Sequence, residues 1–178
     1  MTDIRWEMVD LLQTTAEEFD AAVRAIPDTK WNLSPGTGGW SPAEVIEHLV
    51  LVEVSTGKLI TKKLFAEPAP EALLAETRGK DDVLRQRLED RGRKVTAPDF
   101  VAPVRRWGAK EEMLEAFRTA REVTVMNLSD PSRDLQRFIA PHPVAGPLDA
   151  RQWGLFLGLH LRRHLAQLDD ILRELPSA

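Results

Sequence analysis

A chain of 178 residues, 43% hydrophobic and 29% charged, has the make-up of one globular domain with room for a core and is far from the disordered class. Its formal net charge of -4 argues against a general nucleic-acid or polyanion binder. The absence of cysteine excludes a disulfide framework, a thiolate metal site and a cysteine nucleophile, and is compatible with the cytoplasm.

The N-terminus, Met1-Thr2-Asp3-Ile4-Arg5-Trp6-Glu7, lacks the basic and apolar regions of a signal peptide. No apolar run approaches the roughly 20 residues that span a bilayer. A soluble, cytoplasmic protein is expected. A first helix is predicted from Asp3 to Ile26, with Ile4, Met8, Leu11 or Leu12, Phe19 and Val23 at mixed three- and four-residue spacings. Pro27 and Asp28 stop it, and a loop through Trp31 and Gly36-Thr37-Gly38-Gly39 leads to Trp40.

The second helix has the clearest start. Ser41 suits an N-cap, Pro42 the first helical position, and Glu44 completes a capping box. Its apolar stripe runs through Val45, His48, Leu49, Val52, Leu59 and Ile60. Glu44, Glu47 and Glu53 fall largely off that stripe, and Glu44 and Glu47 read as capping and surface groups. Phe65 and Pro68 mark the end. A long crossover follows, with a helix expected from Pro70 to Asp90 and an extended stretch from Val95 to Pro103. The basic cluster Arg85, Arg87, Arg91, Arg93 and Lys94 is interleaved with Glu89 and Asp90, as on a solvated helix face.

The third main helix is predicted from Lys110 to Leu128, with Met113, Leu114, Phe117 and Val123 facing inward, and Asp130-Pro131 ending it. The loop Ala140 to Pro147 precedes a fourth helix that opens at Asp149 with Gln152 three residues on, a second capping-box pair. Trp153, Phe156, Leu157, His160, His164, Leu168 and Ile171 trace one face of it. Arg151, Arg162, Asp169 and Arg173 lie opposite. With no strand alternation, the pattern reads as an all-α four-helix bundle with a long crossover between helices two and three, in a single domain over residues 1–178. Trp6, Trp31, Trp40 and Trp153 read as packing anchors.

Three of the four histidines sit on stripes that otherwise read as buried. His160 and His164 are four apart, which places their Cβ atoms about 5–6 Å from one another on one helix face. Both rings can then reach one ion at the roughly 2.0–2.1 Å of a metal–nitrogen bond, with His48 as third ligand from another helix. A lone histidine on an apolar stripe is ordinarily a hydrogen-bonded core residue. An H-x-x-x-H pair without the intervening glutamate of the zinc proteases is weak too. Three imidazoles on two inward stripes are costly to bury without a shared partner. A three-nitrogen set leaves Zn2+ or Ni2+ with open positions, the mark of a catalytic site. Gln167 is open to two readings, orienting a ligand or a surface amide. His142, in the loop before the last helix, is read as stabilising that loop rather than as a ligand.

The segment Gly39-Trp40-Ser41-Pro42-Ala43-Glu44-Val45-Ile46-Glu47-His48-Leu49 resembles the W-S/T-x-x-E-x-x-x-H-L signature of the DinB-like (YfiT-like) metalloenzyme superfamily. His160-Leu161-Arg162-Arg163-His164-Leu165-Ala166-Gln167 is similar to its H-x-x-R-H-x-x-Q helix. His142 to Leu148 resembles the loop before the last helix in one branch. The resemblance implies a four-helix bundle with a three-histidine site for nickel, zinc or a similar ion. It also implies relatives that include S-transferases using bacillithiol or mycothiol, and a thiol-dependent maleylpyruvate isomerase. On that basis the first expectation is a metal-dependent enzyme transferring a low-molecular-weight thiol to a small electrophile. A metal-dependent hydrolase and a non-catalytic, metal-binding helical module of a stress response are the alternatives. The expected partner is a small molecule, with neither nucleic acid nor membrane, and a homodimer is left open.

Overall fold

The computed structural model describes residues 4–36, 38–92 and 95–176. Asp3, Thr37, Arg93 and Lys94, named above in the first helix, the Gly-rich loop and the basic cluster, lie outside the described residues, as does the side chain of Ile4. The fold is mostly helical. Four long helices, α1 (Ile4–Ala25), α3 (Pro42–Leu59), α6 (Lys110–Ser129) and α7 (Ala150–Glu174), carry the core. Among them α1 packs against α6 and α7, and α3 against the same two. The short helix α2 (Asp28–Trp31) caps the turn after α1, and a π-helical turn, Ile60–Leu64, extends α3.

Local chemistry accounts for the helix starts. Ser41 Oγ accepts from the Glu44 amide while Glu44 Oε2 accepts from the Ser41 amide at 2.8 Å, which closes the expected capping box. Asp149 and Gln152 do the same at the head of α7, with Gln152 N donating to Asp149 Oδ1 at 2.7 Å. Gly154 and Gly158 let α1 lie directly on α7. A Cβ at either would overlap Met8 or Leu11. Of the two candidate inward leucines, Leu12 is fully buried, and Leu11 is half-buried against Gly158 of α7.

Several expectations are corrected. The crossover helix is two helices, α4 (Glu71–Thr77) and α5 (Lys80–Glu89), because Gly79 adopts φ 72°, a left-handed value that breaks the helical run. The stretch before the last helix is a two-stranded antiparallel hairpin, β1 (Ile139–His142) and β2 (Gly146–Asp149), with His142 paired to Gly146. Pro141, Pro143 and Pro147 erase the alternation by which strands are read, and a pair this short needs few ladder bonds. Trp6 is 57% exposed and anchors nothing, since the inward face of α1 runs through Met8, Val9, Leu12, Phe19 and Val23.

The inward face of α6 also departs from the prediction. Val123 is half-buried, and Arg121 and Thr124 take the inner positions. Arg121 forms a two-pronged ion pair with Glu53, Nε to Oε1 at 2.8 Å and Nη2 to Oε2 at 2.9 Å, and both side chains are almost fully buried. Its Nη1 donates to the Leu12 carbonyl at 2.6 Å and to Thr15 Oγ1 at 3.0 Å, so one guanidinium joins α1, α3 and α6. Glu53 is therefore an interior group, and Glu47 is buried as well. No helix among the described residues is long and apolar enough to cross a membrane.

Candidate metal centre

α3 and α7 pack side by side, and the histidines meet where they do. One ring nitrogen from each of His48, His160 and His164 lies within 4.8 Å of the other two. The ring centroids are 5.3 Å apart for His48–His160, 4.9 Å for His48–His164 and 4.5 Å for His160–His164. The four-residue spacing on α7 and the inward placement of His48 both hold.

The hydrogen bonds fix how the rings present themselves. His48 Nδ1 lies 2.9 Å from the Val101 carbonyl, which can only accept, so the proton sits on Nδ1 and the Nε2 lone pair is free. His164 Nδ1 lies 2.7 Å from Gln167 Oε1, which sets the same tautomer. His164 Nε2 then faces His160 Nε2 at 3.1 Å. Two bare lone pairs at that distance repel unless a proton or a cation is shared between them. Two nitrogens bound to one ion at 2.0–2.1 Å stand about 2.9–3.4 Å apart for right-angled to tetrahedral geometry. Nitrogen donors, outward protons held by a carbonyl and an amide, and the close spacing of the His160–His164 pair together suit a metal ion.

Burial keeps the cluster neutral. Desolvation lowers the pKa of His48 against the raising effect of the Val101 bond. Desolvation, then the neighbouring His164 and His48, holds His160 well below the ordinary histidine value. His164 is pushed down to about 4 by desolvation and then by His48. Neutral imidazoles are the form that binds metal.

Aromatic rings flank the cluster, in which His48 is buried and His160 and His164 are half-buried. Trp40 lies 5.0 Å from the His48 ring and Phe156 lies 5.0 Å from His160, centroid to centroid. His142 stands one ring further out, 4.3 Å from Phe156 and 5.0 Å from Trp153. Its Nδ1 accepts from the Val144 and Ala145 amides at 3.1 and 3.0 Å, so it holds the hairpin loop. Burial pushes its pKa down to about 4. Lys80 Nζ pins the same loop from α5 through the Ala145 and Pro147 carbonyls, at 3.1 and 2.6 Å.

The profile of the DinB superfamily matches residues 11–168, nearly the whole chain and all three histidines. The chain belongs to the DinB superfamily. It is also similar to YuaE of Bacillus subtilis (strain 168), an uncharacterised protein, at 27% identity over 157 residues, which is 88% of this chain and 91% of YuaE. In this DinB-superfamily member, sequence reasoning missed two contributors. Val101 acts through its backbone carbonyl, which leaves no mark on residue type. Glu47, beside His48, is 2% exposed and accepts from the Arg105 and Arg106 amides at 2.9 and 2.6 Å. The available signal was the segment Val45 to Val54, apolar on every side apart from Glu47, His48 and Glu53, since a helix apolar all round is buried all round, its acids included.

Proposed function

We propose that this chain is a metal-dependent enzyme in which His48, His160 and His164 hold a divalent ion, Zn2+ or Ni2+, and that it transfers a low-molecular-weight thiol to a small electrophile. The frame is a four-helix bundle of α1, α3, α6 and α7 with residues 68–107 as the long crossover. The observation that carries the reading is the meeting of three neutral imidazoles from two helices in a member of the DinB superfamily. A divalent ion bound there lowers the pKa of a coordinating thiol and leaves positions open for it.

The chain's own residues do the rest. The Val101 carbonyl and Gln167 Oε1 hold protons at Nδ1 of His48 and His164 and so aim the opposite nitrogens inward. Trp40 and Phe156 wall the cluster with apolar surface, which excludes water from a reactive sulfur. The sulfur comes from the cosubstrate, because the protein has no cysteine. The carboxylate nearest in sequence to His48, Glu47, is committed to two backbone amides and is not free to act as the general base that hydrolysis calls for.

The test is elemental analysis of the purified protein followed by conjugation assays with chlorodinitrobenzene and several thiols, bacillithiol and mycothiol among them. The expected outcome is near-stoichiometric metal and thiol-selective conjugation that is lost on chelation. Stoichiometric metal with ester or amide hydrolysis and no conjugation would move the assignment to a hydrolase. A protein without metal would remove the enzymatic reading altogether.

A further inference from the structure

The segment from Asp99 to Arg106 crosses the face of α3 that carries His48, and two adjacent α3 residues hold its two ends. At one end His48 Nδ1 donates to the Val101 carbonyl at 2.9 Å, and Val101 itself is buried. At the other, the two oxygens of Glu47 each accept one amide from consecutive residues, Oε2 from Arg105 N at 2.9 Å and Oε1 from Arg106 N at 2.6 Å. Successive amides converging on one anion form a backbone nest, and the anion here belongs to the protein.

Two further features show that this clamp carries the strap. Arg105 has φ 57°, a left-handed conformation that a residue with a Cβ keeps only when its surroundings impose it. The large side chains on the strap do not hold it, for Phe100 is 62% and Val104 64% exposed. Within the strap only Val101 is buried, with Ala102 and Pro103 half-buried, and beyond it Trp107 is partly buried. A fully buried carboxylate is costly unless satisfied, and Glu47 is satisfied by the strap amides.

We propose that Glu47 is a positioning residue for the three-histidine centre: through the strap it sets the Val101 carbonyl that keeps the His48 proton on Nδ1 and Nε2 bare. The tautomer stands on geometry alone, and its consequence for metal affinity rests on the function proposed above. Replacing Glu47 by Gln puts an amide donor against one of the two strap N–H groups. The clamp is then half lost, with side-chain volume unchanged.

The experiment is NMR of the imidazole nitrogens of the metal-free protein at about pH 8, where histidine is neutral, alongside a zinc titration. The wild type should show His48 as the single Nδ1–H tautomer. Glu47→Gln should show a mixture of tautomers and a zinc Kd raised about 10- to 100-fold, the usual effect of disturbing a ligand's hydrogen-bond partner. A two-glycine insertion after Pro103 leaves Glu47 and both amides in place and breaks only the mechanical link to Val101. It should give the same mixture, and it decides the matter if Glu47→Gln does not fold. Glu53→Gln, which disturbs a buried acid elsewhere on α3, should lower stability and keep the single tautomer. An Nε2–H tautomer in the wild type, an unchanged tautomer in the insertion variant, or a mixture in Glu53→Gln as well would each overturn the role. If the wild type binds no zinc or nickel the proposed function falls, and the tautomer comparison still decides what Glu47 does.

Discussion

His160 and His164 face one another through their Nε2 atoms at 3.1 Å, one helical turn apart on α7, with the His48 ring 4.9 Å from His164. The pair alone is a single-helix clip that any amphipathic helix could carry. The proposed metal site depends on α3, which brings a third ring nitrogen from a different helix to within 4.8 Å of the other two. Removal of any one imidazole leaves two neutral donors, too few to hold a divalent ion against dialysis.

The first prediction separates the three from the fourth. His48→Ala, His160→Ala and His164→Ala should each lose most of the bound metal, measured per chain by mass spectrometry after dialysis at neutral pH. His142→Ala should keep metal near the wild-type level. It should instead lose about 1–3 kcal/mol of stability, because the Val144 and Ala145 amides are left without their acceptor. Full occupancy in the His48 variant together with loss in the His142 variant would refute this ligand set.

The second concerns pH and the metal-free protein. His142 and His164 have folded-state pKa values of about 4, and His48 and His160 are also lowered, against an ordinary value of 6.5. A lowered histidine pKa means that the unfolded chain binds more protons between those limits, so stability rises with pH there. The contribution is fully present above pH 6.5 and is lost as pH falls toward 4. Urea midpoints measured between pH 7.5 and 4 should decline through that window, and less steeply in His142→Phe. A flat profile would show that the histidines are not desolvated.

Much of this was legible in the sequence because it rests on side-chain type and helical spacing. Ser41-Pro42-x-Glu44 and Asp149-x-x-Gln152 announce their helices, and His48, His160 and His164 fall on inward stripes that the fold honours. The hairpin was hidden by its prolines, and the break at Gly79 by a periodic pattern that continues across it. Glu47, Glu53 and Arg121 were hidden for a different reason. A charged residue reads as solvent-facing until its partner is known, and the partners lie 58 to 109 positions away in the chain.

The third prediction follows from that buried pair. Arg121→Met leaves the Glu53 carboxylate in the core without its cation and should cost about 3–5 kcal/mol. The double variant Glu53→Leu/Arg121→Met removes both charges and should recover most of the loss. It should stay short of full recovery, because the Leu12 carbonyl and Thr15 hydroxyl also lose their donor. Chemical denaturation of the two single variants and the double variant gives the coupling directly. Additive losses would mean that the pair contributes no specific interaction.

The last prediction concerns Gln167, one helical turn beyond His164. Its Oε1 takes the Nδ1 proton of His164 at 2.7 Å, so it decides which nitrogen of that ring is bare. Gln167→Leu removes the acceptor, frees the ring to exchange tautomers, and should weaken zinc binding about 10- to 100-fold while leaving the site able to fill at excess metal. Gln167→Glu keeps an acceptor and adds charge that favours the Nδ1–H form, so its affinity should match or exceed the wild type. Gln167 is half-buried at the end of the cluster, and neither change opens a large cavity, so melting temperatures of the metal-free variants should stay close to wild type. Competition titration with a chromogenic zinc chelator reads the affinities. Equal affinity in the Leu, Glu and wild-type proteins would reduce Gln167 to a surface amide that happens to lie beside a histidine.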